Sequence, residues 1–226
     1  MRRMNIAIDG PAGAGKSTVA RLTANRLDFK YIDTGAMYRA VTWKVLERQI
    51  PLHEHHRIAH IADTMELVLE TTKDGTKVYV DGEDVTEDIR SERVTANVSE
   101  VAKVAHVREI LVDKQRQMAL CGGTVMDGRD IGTNVLPDAE VKVFLTASIT
   151  ERAQRRFREW QAKGVVTELE KIKQEIAARD DLDSNRSVSP RKNAPDAVVI
   201  DTTGLSIEQV VEKILELSRT KIGKLG

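Results

Sequence analysis

The sequence predicts an α/β fold, with a parallel core sheet flanked by helices, an inserted antiparallel β-meander and a helical hairpin. Three observations lead there. Short β-branched runs alternate with longer stretches of helical period, the pattern of strands joined by crossover helices. A glycine-rich turn stands between the first such strand and the first helix. One stretch breaks the alternation with closely spaced Asp-Gly turns, which belong to antiparallel hairpins.

In chain order, Asn5–Ile8 is the first core strand and Lys16–Leu27 the first helix, followed by the strand Tyr31–Ile32 and the helix Met37–Arg48. Met65, Leu67 and Leu69 then alternate with more polar positions before Asp74-Gly75, and Asp81-Gly82 lies between the short strands Lys77–Val80 and Glu83–Val85. Residues 62–90 are therefore expected as a small appended subdomain. Thr124–Met126 and Val141–Leu145 supply two more core strands. Thr150–Lys163 and Glu168–Arg179 are charged helical segments parted by Gly164-Val-Val-Thr167, expected to form a lid over about residues 150–180. Ser187–Pro195 is polar, holds two prolines and reads as a loop leading to the last strand, Val198–Ile200. The last helix carries Ile207, Val210, Val211, Ile214 and Leu215 at i, i+3, i+4, i+7 and i+8, one apolar stripe suited to cover a sheet face.

Residues 1–226 suffice to bury a substantial core as a single domain with these two inserts. Cys121 is the only cysteine, so no intramolecular disulfide forms and a reducing cytoplasmic setting is expected. Thirty-five basic residues balance thirty-five acidic ones, which argues against a surface built for nucleic acid or anionic membrane. The opening apolar run breaks at Asp9 and no later stretch approaches the roughly 18 uncharged apolar residues of a membrane span. A soluble monomer with small-molecule substrates and no nucleic-acid or membrane partner is expected.

Gly10-Pro11-Ala12-Gly13-Ala14-Gly15-Lys16-Ser17 matches the phosphate-binding pattern G-x-x-x-x-G-K-[ST] and sits between a strand and a helix, as that pattern requires. Its glycines let backbone N–H groups turn toward phosphate oxygens, Lys16 reaches the β- and γ-phosphates, and Ser17 ligates Mg2+. Thr18 follows on the helix. ATP with Mg2+ is the implied ligand. A guanine-reading Asn-Lys-x-Asp is absent, and Asp201-Thr-Thr-Gly204 comes too late to act as a nucleotide switch. Two further charged clusters, Asp33-Thr-Gly-Ala-Met-Tyr-Arg39 and Met126-Asp-Gly-Arg-Asp-Ile-Gly132, follow or end strands, where open α/β sheets bind ligands. A third, Arg179-Asp-Asp-Leu-Asp-Ser-Asn-Arg186, closes the second charged helix.

These four segments, in this order, resemble those of bacterial-type cytidylate kinases, within the P-loop nucleoside monophosphate kinases, and the likeness runs from about residue 4 to residue 219. The resemblance implies a P-loop kinase fold, the inserted meander, and transfer of the γ-phosphoryl of ATP to CMP or dCMP. It implies that Arg39, Arg129 and Arg186 hold the acceptor phosphate, that Arg108 and Asp130 read the cytosine edge with help from Thr34, and that Asp183, Arg179 and Ser99 face the sugar. The family often has Ser in place of Thr34. Paired guanidinium forks suit a nearly dianionic phosphate, and a carboxylate accepting from the exocyclic amine separates cytosine from uracil.

Arg152, Arg155, Arg156 and Arg158 read either as a solvated helix face or as lid arginines that neutralise the transferring phosphoryl; Arg155 is taken as catalytic with Lys16, Arg129 and Arg186. No general base is needed, because the acceptor phosphate is already anionic near neutral pH. His53, His55, His56 and His60 cluster without a third ligand in place and read as a solvated face. Two rivals stay open: the same fold with another acceptor, such as UMP, dTMP, AMP or a small metabolite, and a nucleotide-dependent binding protein without transfer activity.

Overall fold

The computed structural model describes residues 4–72, 75–162, 164–185 and 189–222. In chain order the elements are β1 (Asn5–Asp9), α1 (Lys16–Leu27), β2 (Lys30–Asp33), α2 (Thr34–Glu47), α3 (His55–Thr64), β3 (Leu67–Thr71), β4 (Thr76–Val80), β5 (Glu83–Asp84), α4 (Glu92–Val101), α5 (Ala105–Ala119), β6 (Thr124–Asp127), β7 (Val141–Thr146), α6 (Ile149–Ala162), α7 (Leu169–Asn185), β8 (Val198–Asp201) and α8 (Ile207–Ile222). Five strands form a parallel sheet in the order β2-β6-β1-β7-β8, and β3-β4-β5 form a separate antiparallel sheet.

The two-residue period of β1 sorts its side chains between faces. Ile6 and Ile8 join Val19, Val211 and Ile214 in the core under α1 and α8. Ala7 turns to the other side, with Ile32, Met126 and Val112 of α5. Because both faces are covered, β1 and β6 are buried at every position, as central parallel strands must be. The small sheet keeps a one-sided alternation: Val78 and Val80 are buried while Lys77 faces water. That buried face joins a core shared with α2, α3 and α5. The α6–α7 hairpin has its own small core of Ala153, Ile172 and Ile176, with Phe157, Trp160 and Leu169 against it.

Several boundaries differ from the expectations. α2 starts three residues before Met37, because the Asp33 carboxylate accepts from Ala36 N at 2.9 Å and caps the helix there. Residues 62–64 complete α3, so the meander begins only at Leu67. α7 continues past Arg179 to Asn185. The Asp-rich end that reads as a helix stop is held by ion pairs: Asp180 with Arg152 and Arg191, and Asp183 with Arg129. Asp74 of the first Asp-Gly turn and residues 186–188 of the loop before β8 lie outside the described residues. No helix among the described residues is long and apolar enough to cross a membrane.

Candidate active site

The parallel sheet brings the C-terminal ends of β1, β2 and β6 to one edge, with Asp127 in register with Ile8 on one side and Asp33 on the other. The phosphate loop leaves β1 here. A Cβ on Gly10 would stand 2.1 Å from the Leu145 carbonyl oxygen, so the loop passes against the β7 backbone where no side chain fits. Gly15, at φ 86°, turns the chain through the left-handed region into α1. The loop's interior is occupied by its own lysine: Lys16 is buried, and its Nζ donates to Pro11 O at 2.8 Å. Burial and the nearby Arg129 push its ammonium well below the usual lysine range, so an anion at this place would relieve both effects.

Beside the loop, Ser17 Oγ donates to Asp127 Oδ2 at 3.0 Å and Tyr31 OH donates to Asp127 Oδ1 at 2.8 Å. Burial, followed by the charge of Asp33, raises the Asp127 carboxyl to about 6. The sequence alone assigns Asp127 no role. The signal was available, since Asp127 ends a buried strand next to the one that carries the loop. From outside, buried Arg152 of α6 grips the loop, donating to Ala12 O at 3.0 Å and Ala147 O at 3.1 Å while pairing with Asp180 at 2.6 Å.

On one flank of the loop, Gly13, Ala14, Gly15 and Thr18 line a cavity of about 540 Å³ closed by Arg155, Thr202 and apolar Leu205, Ile207 and Val210. Arg155 donates to Glu151 Oε1 at 3.0 Å, Thr202 Oγ1 at 3.0 Å and Thr202 O at 2.7 Å. The structure thus sets Arg155 in the wall of this flank cavity, and places Arg152 against the phosphate loop.

On the other flank, Ala12, Thr95, Ser99, Arg156 and Arg179 line a second cavity of about 280 Å³. Arg39 donates to Thr95 Oγ1 at 2.8 Å and Ile89 O at 3.3 Å. Arg129 donates to Asp183 Oδ2 at 2.9 Å. Burial opposes the charge of Arg129, yet Asp183 leaves its guanidinium above its ordinary value. The other arginines are not so well compensated. Burial, then Arg129 and Arg39, lowers Arg179 to about 9. Burial, and the cations Arg156, Arg90 and Arg129 against the help of Asp33, lower Arg39 to about 10. The Arg179 Nε is buried with no hydrogen-bond partner among the described residues. Arg156, also depressed by burial, stacks over the Trp160 ring at 5.6 Å.

Arg108 and Asp130 are both buried and bonded to each other, with Asn134 Nδ2 donating to the same carboxylate at 3.2 Å. The Arg108 Nε has no hydrogen-bond partner among the described residues, and its guanidinium lies 5.5 Å from the Tyr38 ring centre. Thr34 Oγ1 is turned to Asp127 O at 2.7 Å. Arg186 lies outside the described residues. His55, His56 and His60 are exposed on α3, and among the described residues no group of three or more His, Cys, Asp or Glu is placed to hold a metal ion.

A family model described as cytidylate kinase matches residues 6–220. The chain belongs to the cytidylate kinase family. A cytidylate kinase of Geobacillus thermodenitrificans is 54% identical over 222 residues, spanning 98% of this chain and 99% of the relative. One of Bacillus subtilis is 52% identical over 220 residues, spanning 97% and 98%. Among solved structures, a gluconokinase from Sinorhizobium meliloti shares the fold with a TM-score of 0.51 at 13% identity, over 99% of this chain and 97% of that one. The phosphate loop is thus flanked by two cavities with arginines in their walls, Arg155, Arg156 and Arg158 in one and Arg156 and Arg179 in the other.

Proposed function

We propose that this protein, acting as a monomer, transfers the γ-phosphoryl of ATP to CMP and dCMP. The observation that carries this reading is the group Arg39, Arg129, Arg156 and Arg179, whose mutual repulsion and burial hold three of the four below their ordinary pKa. Such a group is unfavourable without an anion, and a phosphate dianion compensates it. Arg186 belongs to the same set by resemblance.

In this reading the backbone of residues 10–16, with Lys16 and Thr18, holds the ATP phosphates, and the 540 Å³ cavity takes the donor nucleoside, with Arg155 beside it. The acceptor lies on the other flank, at the cavity lined by Ser99 and Arg179; by resemblance Arg39 and Arg129 are on its phosphate and Ser99, Arg179 and Asp183 toward its sugar. Thr34, Arg108 and Asp130 face the base, where the carboxylate accepts from the cytosine amine. Ser17 and Asp127 present oxygens 3.0 Å apart beside the loop. That hard pair fits Mg2+, which takes few protein ligands and keeps water and phosphate oxygens. When bound, Mg2+ would neutralise charge between the β- and γ-phosphates. Positioning and charge compensation supply most of the acceleration, since the acceptor oxygen needs no base.

The test is a panel of CMP, dCMP, UMP, dTMP and AMP with labelled ATP. CMP and dCMP are expected to be phosphorylated with the highest kcat/KM. Faster transfer to another acceptor, or ATP binding without transfer to any, overturns the reading.

A further inference from the structure

Asp9 is the last residue of β1 and immediately precedes the phosphate loop, yet its carboxylate bonds elsewhere. Oδ1 accepts from Ile131 N and Oδ2 from Gly132 N, each at 2.8 Å. Those are the first two residues of a short π-helical segment, Ile131–Val135, which begins directly after Asp130. Asp9 is 4% exposed, and burial, which outweighs the two backbone N–H donors, raises its carboxyl to about 6. The charge of Asp130 works in the same direction and that of Lys16 against it. A buried carboxylate at a central strand end is a liability for stability, so its retention points to a task that the sheet alone does not impose.

The task follows from where the two bonds act. Asp130 stands at φ −147°, ψ 29°, outside the helix it precedes, but its carbonyl accepts from Asn134 N at 2.9 Å and Val135 N at 3.3 Å, so its backbone position follows that of the segment and of the two peptides that begin it. Arg116 secures the far end of the segment, donating to Asn134 O at 2.7 Å and Val135 O at 3.2 Å. Asp9 secures the near end, from the central strand of the sheet. The Asp130 carboxylate must meet Arg108 and a substrate edge together, and a shift of well under 1 Å suffices to loosen such a constellation.

We propose that Asp9 is a positioning residue for base choice: its two-point hold on the Ile131 and Gly132 amides sets Asp130 in place and ties the base-reading loop to the strand that carries the phosphate loop. The proposal rests on the assignment of Asp130 to the base.

Asp9→Asn keeps the size but turns an N–H2 toward one of the two amides. Kinetics with CMP, UMP and ATP are to be measured for Asp9→Asn, Asp130→Ala and the double variant, with melting curves to follow the fold. Asp9→Asn is expected to lower the CMP-over-UMP ratio of kcat/KM by about tenfold or more while KM for ATP stays within about threefold, and to change that ratio no further when added to Asp130→Ala. Asp9→Ser, which retains one shorter acceptor, is a second variant with the same expected split. An unchanged ratio in the Asp9 variants, while Asp130→Ala abolishes discrimination, overturns the Asp9 proposal alone. An equal further loss in both backgrounds also overturns it. If Asp130→Ala itself leaves the ratio at the parent value, the base assignment and the proposal resting on it both fall.

Discussion

Arg108 and Asp130 form a buried ion pair, so in the proposed reading their removal has two separable effects. Taking away the carboxylate leaves Arg108 buried without its counter-charge, which costs about 3–5 kcal/mol of stability when a buried pair is broken. In the proposed reading it also removes the acceptor for the cytosine amine. Asp130→Ala should therefore melt earlier and bring CMP and UMP to within about tenfold in kcat/KM, an interval of about 1.4 kcal/mol. Arg129→Ala should lower both substrates in parallel, because a phosphate contact carries no base information. Arg179 allows a sharper dissection. Its guanidinium is depressed to about 9 by burial and by Arg129 and Arg39, so in the empty protein it is a burden. Arg179→Met should leave the ligand-free melting temperature unchanged or raised, while weakening CMP binding in calorimetry by about tenfold or more. A lower melting temperature would mean that Arg179 is held for the fold. At this scale the candidate residues were legible because glycines beside charged side chains have no helix-building use. Asp127 and Asp9 were not, since a lone acid at a strand end looks the same as a cap until its partners across the sheet are known.

The elements show why boundaries were harder to read than identities. α1 matches its expected limits because a glycine turn starts it and Asp28, in the left-handed region, ends it, both local signals. α7 outruns its expected end because Asp180 and Asp183 are bound to arginines 28 or more positions upstream or in the following loop, and long-range pairing leaves no local trace. α6 illustrates the same limit. Its arginines look equivalent in sequence, but Arg152 is buried against the phosphate loop, whereas Arg155 is partly exposed beside Thr202. Arg152→Ala should thus lower stability by about 3 kcal/mol, with the loss of two charge-assisted bonds and of one of the two partners of Asp180. Arg155→Ala should cost less, about 1–2 kcal/mol, since its partly exposed ion pair with Glu151 adds little beyond its two bonds to Thr202, and raise KM for ATP. Chemical denaturation beside ATP kinetics checks both. Equal stability loss in the two variants would remove the distinction between a residue that braces the loop and one that faces the donor.

In the whole molecule, the cations proposed for the acceptor come from separate layers: Arg39 from α2 beside the small sheet, Arg129 from the edge of the core sheet, and Arg156 and Arg179 from the α6–α7 hairpin. The hairpin is held largely by its own core, and its tip exposes Val165 and, fully, Val166. Without anions, repulsion among the four arginines works against bringing the hairpin down onto the core. ATP compensates the loop side and CMP the acceptor side, so each removes only part of that repulsion, and the two together should favour a closed hairpin by more than either does alone. Elastase, which cuts beside small aliphatic residues, then reports closure at Val165 and Val166. Cleavage there is expected to slow modestly with CMP or with a non-hydrolysable ATP analogue, and by clearly more than the product of the two effects when both are present. The protection should weaken in Arg156→Ala, which removes a cation that the hairpin contributes. Identical cleavage in every ligand state would make α6 and α7 a fixed wall of the acceptor cavity, and closure would then have no part in catalysis.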